Sequence, residues 1–378
     1  MADQGMGTRT WLGLTLAAAL AACAPVTQRP AADPTATAAE AERQRELALD
    51  TRTQRQARFM SVAHRILAAN AELCEARVAV TYGLHYTNDQ SINEDYKTAA
   101  RTVFNMTSAQ QLLFVPQGSA AAFAGLKARD RLLAFDGERL PKGTEGYKVL
   151  REKIEAATAA AAPIVLTIER GGAEVTATLT PVRICDYKAE LIDGDAVNAF
   201  ADGEKIVVTT GMMRFVESDT ELALVVGHEL AHNTLHHIGK QRANVMIGTV
   251  LGALLSAVIR VDVTRAGAEA GAGAYSQDFE SEADYAGIYY TARGGYNVGD
   301  APKLWRRMAV EHPRAIGHGT THPDTATRFV ALDKTVDEII KKIETNQALR
   351  PEMAPPFLGG QGMTTPASNQ VPAELRGR

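Results

Sequence analysis

The chain has 378 residues, 46% of them hydrophobic and 22% charged, with a formal net charge of -4. That length predicts two folded units with flanking segments, and the composition is that of a soluble globular protein. The charge balance excludes the basic surface expected of a nucleic-acid binder, and no acidic tail is present.

Residues 1–22 read as an export signal: Arg9 precedes the apolar run WLGLTLAAALAA, too short to span a membrane as a helix. The string Leu20-Ala21-Ala22-Cys23 resembles the lipobox of bacterial lipoproteins. That resemblance implies cleavage before Cys23 and a lipid anchor on it. With Ala24 rather than Asp next, it also implies the outer membrane, facing the periplasm. A plain signal peptide with a chance cysteine is the alternative. Residues 23–40, rich in Pro, Ala and Thr, read as a flexible tether. With Cys23 used for lipid, Cys74 and Cys185 remain, and in an oxidising compartment they are expected to pair. Closing a loop of that size is worth roughly 4–5 kcal/mol in the chain-entropy model. Two buried free thiols would be the other outcome.

Residues 41–79 are expected to hold one long helix packed on a catalytic domain. Phe59, Val62, Ala63, Ile66, Leu67 and Leu73 recur at three- and four-residue spacing as an apolar stripe. From residue 80 to 183 the period shifts to short strands, and IVLTIER–Gly171–Gly172–AEVTATLTPV predicts a hairpin. Val115, Gly118-Ser119-Ala120-Ala121, Ala124-Gly125-Leu126, Asp130, Leu132 and Asp136-Gly137 resemble the hallmark string of bacterial PDZ domains. The resemblance implies a β-rich module that holds a C-terminal peptide near Tyr82-Gly83-Leu84-His85; a purely structural module is equally consistent. Arg129 stands where that pattern has glycine, and a positive φ there would cost on the order of 1 kcal/mol. Cys74 and Cys185 flank the module.

The third unit, 184–348, carries the chemistry. A strand is expected from 205 to 210, with its 207–209 stretch aligning a substrate by strand addition. Ser218 and Glu221 form a capping box, and the helix they start is expected to run from 219 to 238 and stop at Gly239. Mid-helix lies HELAH. His228 and His232, four apart, share one face and can set two imidazole nitrogens about one ion, with Glu229 beside them to deprotonate a water. On a straight helix His236 lies about 12 Å along the axis from His228, so His236 and His237 are excluded as ligands and read as surface or supporting residues. A third ligand must come from elsewhere. In DFESEADYAGIYYTAR, Glu280 and Glu282 flank the buried stripe at nearly equal angles, and periodicity cannot choose between them. Glu280 has Asp284 four residues on, able to accept from a ligand histidine, and Glu282 has no such partner.

The ordered strings NAFADGEKIVVTTGMM, ELALVVGHELAHN, FESEADYAG and THPDTATR resemble the HtpX-like and CAAX-protease-like zinc metallopeptidases, and most of all their periplasmic lipoprotein type with a PDZ-like domain. The resemblance implies Glu280 as third zinc ligand with Asp284 in support. It also places His322 near the metal, as a transition-state donor or inhibitory ligand; a helix-capping His322 without metal contact is the alternative. The fold class it implies is α+β: a mainly helical zincin-like domain with a short sheet, plus the β-rich PDZ-like domain. The activity implied is a Zn2+ endopeptidase of the cell envelope acting on misfolded or misassembled proteins. The competing reading is a non-catalytic PDZ-type binding or chaperone lipoprotein with a structural zinc. Residues 245–259 lack charge and reach about 22 Å as a helix, short of a roughly 30 Å hydrocarbon core; a buried or membrane-touching hairpin is expected. The Gly/Ala run 265–275 reads as a mobile loop, and residues 349–378 as a disordered tail.

Overall fold

The computed structural model describes residue 27 and residues 30–273, 276–311 and 326–353. The export signal, the lipobox with Cys23, residues 312–325 with His322, and the tail beyond residue 353 lie outside the described residues.

Helix α1 (Pro34–Ala69) starts within the stretch expected to be a tether. Asp33 caps it by accepting the Ala36 N–H at 2.8 Å, and Pro34 takes the first helical position, where its missing N–H costs nothing. The Ala and Glu residues that follow favour helix, so composition alone misled. Its stripe, Phe59, Val62, Ala63, Ile66 and Leu67, is buried in the larger core.

The chain then enters a β-rich unit through strand β1 (Val78–Thr81) and leaves it through β8 (Val182–Cys185). These two pair antiparallel, with Val78 opposite Cys185 and Thr81 opposite Val182. A disulfide joins Cys74 to Cys185 at the base, with Cα atoms 5.5 Å apart. Between them lie β2 (His85–Thr87), β3 (Gln110–Phe114), β4 (Arg131–Phe135), β5 (Glu138–Arg139), β6 (Ile164–Arg170) and β7 (Ala173–Leu179). Their sheet runs β2-β3-β4-β6-β7, with β5 added to β4. Helices α2 (Lys97–Phe104), α3 (Ala120–Phe123) and α4 (Gly143–Ala159) complete the unit. Its own core gathers Leu112, Leu132, Leu150, Ile164, Leu166, Ile168 and Leu179. Gly171 and Gly172, both at positive φ, make the β6–β7 turn; Arg129 takes φ 74, the left-handed conformation that favours glycine.

The rest is mainly helical around a small sheet of β9 (Lys188–Ile192), β10 (Ala199–Ala201) and β11 (Lys205–Thr209), ordered β10-β11-β9. Here the expectation for 207–209 fails. Strand β11 is central, antiparallel to β10 and parallel to β9, so its backbone is already paired on both sides. Its consecutive buried residues Ile206, Val207 and Val208 are those of an interior strand. Helices α5 (Thr210–Phe215), α6 (Asp219–Thr234), α7 (His237–Ile259), α8 (Thr264–Gly273), α9 (Ser276–Arg293), α10 (Ala301–Glu311) and α11 (Ala326–Glu344) follow. Overall the molecule is a mixed helix-and-sheet protein, with 56% of the described residues helical.

The helix expected to end at Gly239 stops at Thr234 instead. His236 takes a left-handed φ of 58 and α7 restarts at His237. The Gly/Ala run expected to be a mobile loop is largely helix α8, because its glycines lie against glycines of α7. A Cβ on Gly267 would sit 2.2 Å from the Gly248 carbonyl oxygen. The pair is a hairpin, and α7 is not buried. It is long and apolar enough to cross a membrane by length and composition, yet only 6% of its most apolar window is covered.

Candidate metal centre

Helix α6 is fixed at both ends. Ser218 Oγ accepts the Glu221 N–H at 3.2 Å, and the Glu221 carboxylate reaches back to the Glu217 N–H at 2.7 Å. Arg307 grips that same carboxylate with two bonds of 2.8 and 2.9 Å. At the other end the Asn233 amide accepts from the Gly203 N–H and donates to the Lys205 carbonyl, tying the β10–β11 turn to the residue after HELAH.

Two glycines bring the second site helix in. A Cβ on Gly227 would lie 2.6 Å from the Gly287 carbonyl oxygen, and one on Gly287 would lie 2.8 Å from the His228 nitrogen. Bare backbone therefore meets bare backbone where α6 crosses α9, and Thr291 Oγ1 stitches the contact to the Ala223 carbonyl at 3.1 Å. Asp284 and Glu280 lie three and seven residues before Gly287, on the same face of α9. The crossing thus aims both carboxylates at the HELAH helix.

His228, His232 and Glu280 converge, all buried, with one ligand atom of each within 4.8 Å of the others. The two Nε2 atoms are 3.1 Å apart, and Glu280 lies 3.5 Å from His228 Nε2 and 3.3 Å from His232 Nε2. Glu229 is buried on the next position of the same helix. His228 Nδ1 faces Asp284 Oδ1 at 3.1 Å. Arg328 of α11 holds Asp284 through two bonds of 2.7 and 2.8 Å, and a third guanidinium nitrogen lies 3.4 Å from Glu280. Burial would raise the Asp284 carboxyl, but hydrogen bonds from His228 and Arg328 hold it below the usual carboxylate range. Trp305 covers His228, ring centres 5.0 Å apart.

For the chain by itself, burial opposes charge on His228, and the hydrogen-bonded carboxylates of Asp284 and Glu280 outweigh it, raising its pKa to about 10. His232 is pushed down, chiefly by burial. The 3.1 Å between the two Nε2 atoms has room for one shared proton. A divalent cation held by both nitrogens would take that proton's place. Two imidazole nitrogens and a carboxylate oxygen, buried and convergent, are the donor set that suits Zn2+.

Sequence reasoning missed Arg328 and the role of Glu282, and left His237 between a surface and a supporting residue. Arg328 ends the string THPDTATR, in which only the histidine invites attention. His237 is buried with its Nδ1 3.1 Å from His232 Nδ1, and its Nε2 bonds Glu282 Oε2 at 2.8 Å. Glu282 has no acidic residue four positions on, as the sequence shows, and bonds this imidazole instead. His236 points away and is exposed, 3.9 Å from Glu75. Spacing on a straight helix hid this difference; the left-handed residue at 236 creates it.

The sequence profile of peptidase family M48 matches residues 168–336. The chain is 30% identical over 133 residues to the beta-barrel assembly-enhancing protease of Yersinia pestis, covering 32% of this chain and 27% of that one. It is 30% identical over 149 residues to the mitochondrial metalloendopeptidase OMA1 of Arabidopsis thaliana, covering 39% and 31%. It thus spans about a third or less of the length of these relatives. Among solved structures, the HtrA3 PDZ domain bound to a phage-derived ligand covers 28% of this chain and 88% of that one. At 14% identity and a TM-score of 0.21 it carries no argument about the fold.

Proposed function

We propose that this chain, a member of peptidase family M48 through its residues 168–336, is a zinc-dependent endopeptidase of the bacterial cell envelope. The observation that carries the proposal is the convergence of His228, His232 and Glu280 on one buried point beside Glu229. Bound there, zinc supplies a Lewis acid for the scissile carbonyl and lowers the pKa of water.

The chain's own residues do the rest. Glu229 takes a proton from the attacking water and returns it to the leaving amine. Asp284 fixes the ring of His228, and the Arg328 charge holds the Asp284 carboxyl ionised and lies beside Glu280. Strand β10, an edge of the small sheet among the described residues, is the strand a substrate extends, and the Asn233 anchor fixes its distance from the site. His322 serves as a donor near the scissile bond. The β1–β8-clamped unit is a PDZ-like module that presents C-terminal segments of clients. Acylation of Cys23 holds the enzyme on the outer membrane facing the periplasm, where misfolded or misassembled envelope proteins are its substrates. Kinship with proteases named for β-barrel assembly supports that class.

Metal content and casein cleavage, with and without chelator, test the proposal. Glu229→Gln keeps zinc and loses cleavage by at least about a hundredfold. Unchanged cleavage by a clean Glu229→Gln preparation overturns the assignment. Bound zinc with no cleavage by the parent leaves a non-catalytic binding lipoprotein as the answer.

A further inference from the structure

We infer that Glu282 and His237 form a carboxylate–imidazole relay that holds His232 in its Nδ1–H form and so directs its Nε2 lone pair into the metal cluster. The inference rests on the zinc reading of that cluster. Neither residue offers an atom to the metal; both are positioning residues that act through His232.

The geometry leaves little freedom. The break at His236 swings the His237 ring edge-on to His232, with centres 5.0 Å apart at 81°. Phe279 stacks on a face of His237 at 4.7 Å and fixes its plane. His237 is 2% exposed, so its ring nitrogens are committed to the two neighbours they face. An ionised carboxylate only accepts, so the 2.8 Å contact to Glu282 places a proton on His237 Nε2. The neutral ring's other nitrogen is then a bare acceptor. At 3.1 Å from His232 Nδ1 it must receive a proton from there. His232 is left with an unprotonated Nε2, which is the atom 3.1 Å from His228 Nε2 and 3.3 Å from Glu280.

Charge explains why a second imidazole intervenes. His228 is oriented by Asp284 directly, and that buried carboxylate needs Arg328 as a counter-charge. A second carboxylate placed directly on His232 would be another buried anion beside Glu280, with its own desolvation cost. His237 passes the same orientation through a neutral ring to Glu282, whose side chain is 46% exposed and solvated. Each ligand histidine thus has a carboxylate behind it, one in contact and one at a remove.

Zinc affinity of the purified full chain, measured against a chromophoric chelator, tests the relay without relying on activity. His237→Phe, which keeps the stacking and loses the acceptor, is expected to bind zinc about 10–100-fold more weakly. His237→Asn, whose amide oxygen can accept from His232 Nδ1, restores most of that loss. Glu282→Leu removes the acceptor for His237 Nε2–H and weakens binding by about tenfold. Nitrogen NMR on histidine-labelled parent reads the tautomer directly, so the test survives a variant that fails to fold. His232 found as the Nε2–H form in the zinc-free parent, or a folded His237→Phe chain with parental affinity, overturns the relay and leaves the zinc site standing. A parent that binds no zinc overturns the zinc reading itself, and the relay with it.

Discussion

Two pairs of helices in this molecule are joined by the same device and come to opposite ends. In α6 and α9, Gly227 and Gly287 let backbones touch; in α7 and α8, Gly248, Gly252, Gly267 and Gly271 do so over a longer seam. The first pair lies in the main core, against α1, the small sheet and α11, and its polar side chains are held in a bonded network. The second leaves Met246, Val250, Leu254 and Val258 outward, between 54% and 79% exposed. Close approach of backbones therefore decides only that two helices pair. What covers the remaining faces decides whether the pair becomes a reactive interior or an apolar surface, and an uncovered apolar face of this kind is a contact surface rather than a source of stability.

The sharpest way to break the comparison is to strip the first pair of its charge balance. Arg328→Met takes the guanidinium from buried Asp284 and Glu280 and leaves them to His228, and about 3–5 kcal/mol should be lost in denaturant unfolding of the zinc-free chain. A loss under 1 kcal/mol would mean that solvent reaches the pair. Next comes a methyl at each seam. Gly287→Ala drives a Cβ against the His228 backbone and should cost about 1–3 kcal/mol together with zinc affinity. Gly248→Ala meets a tighter contact, 2.1 Å from the Gly267 carbonyl oxygen, yet should leave zinc affinity intact, with faster amide exchange confined to α7 and α8. Equal loss of zinc affinity in both variants would show the hairpin and the site to be one unit. The smallest effect is expected on the open face: Val250→Ser and Leu254→Ser should each move stability by no more than about 0.5 kcal/mol. A larger fall would reveal that something packs on that face.

The site's local half was legible in the sequence because its rules are local. HELAH needs only four-residue spacing, the Ser218 cap needs only the next three residues, and Gly171-Gly172 needs only its flanking strands. The choice of Glu280 over Glu282 was not open to periodicity, since the angle of α9 is set by the Gly227–Gly287 contact, which joins two distant segments. Arg328 and the His237–Glu282 pair escaped for related reasons: one arrives from the last described helix, the other depends on a single left-handed residue. The strand 205–209 was recognised as a strand, but its central position depends on β9 and β10 closing on either side. The early start of α1 was misjudged for a different reason, as an Asp-Pro cap was read as part of a linker.

The clasp at the base of the β-rich unit bears on how the chain can find its fold. Helix α1 shares a core with helices more than a hundred residues later, so its native contacts carry a high contact order, the kind that slows folding. Once Cys74 and Cys185 are joined, the path along covalent bonds from α1 to the small sheet no longer runs through the intervening unit. In that cross-linked chain the long helix is a near neighbour of the metal-centre core, and the β-rich unit is a side branch free to fold at its own pace.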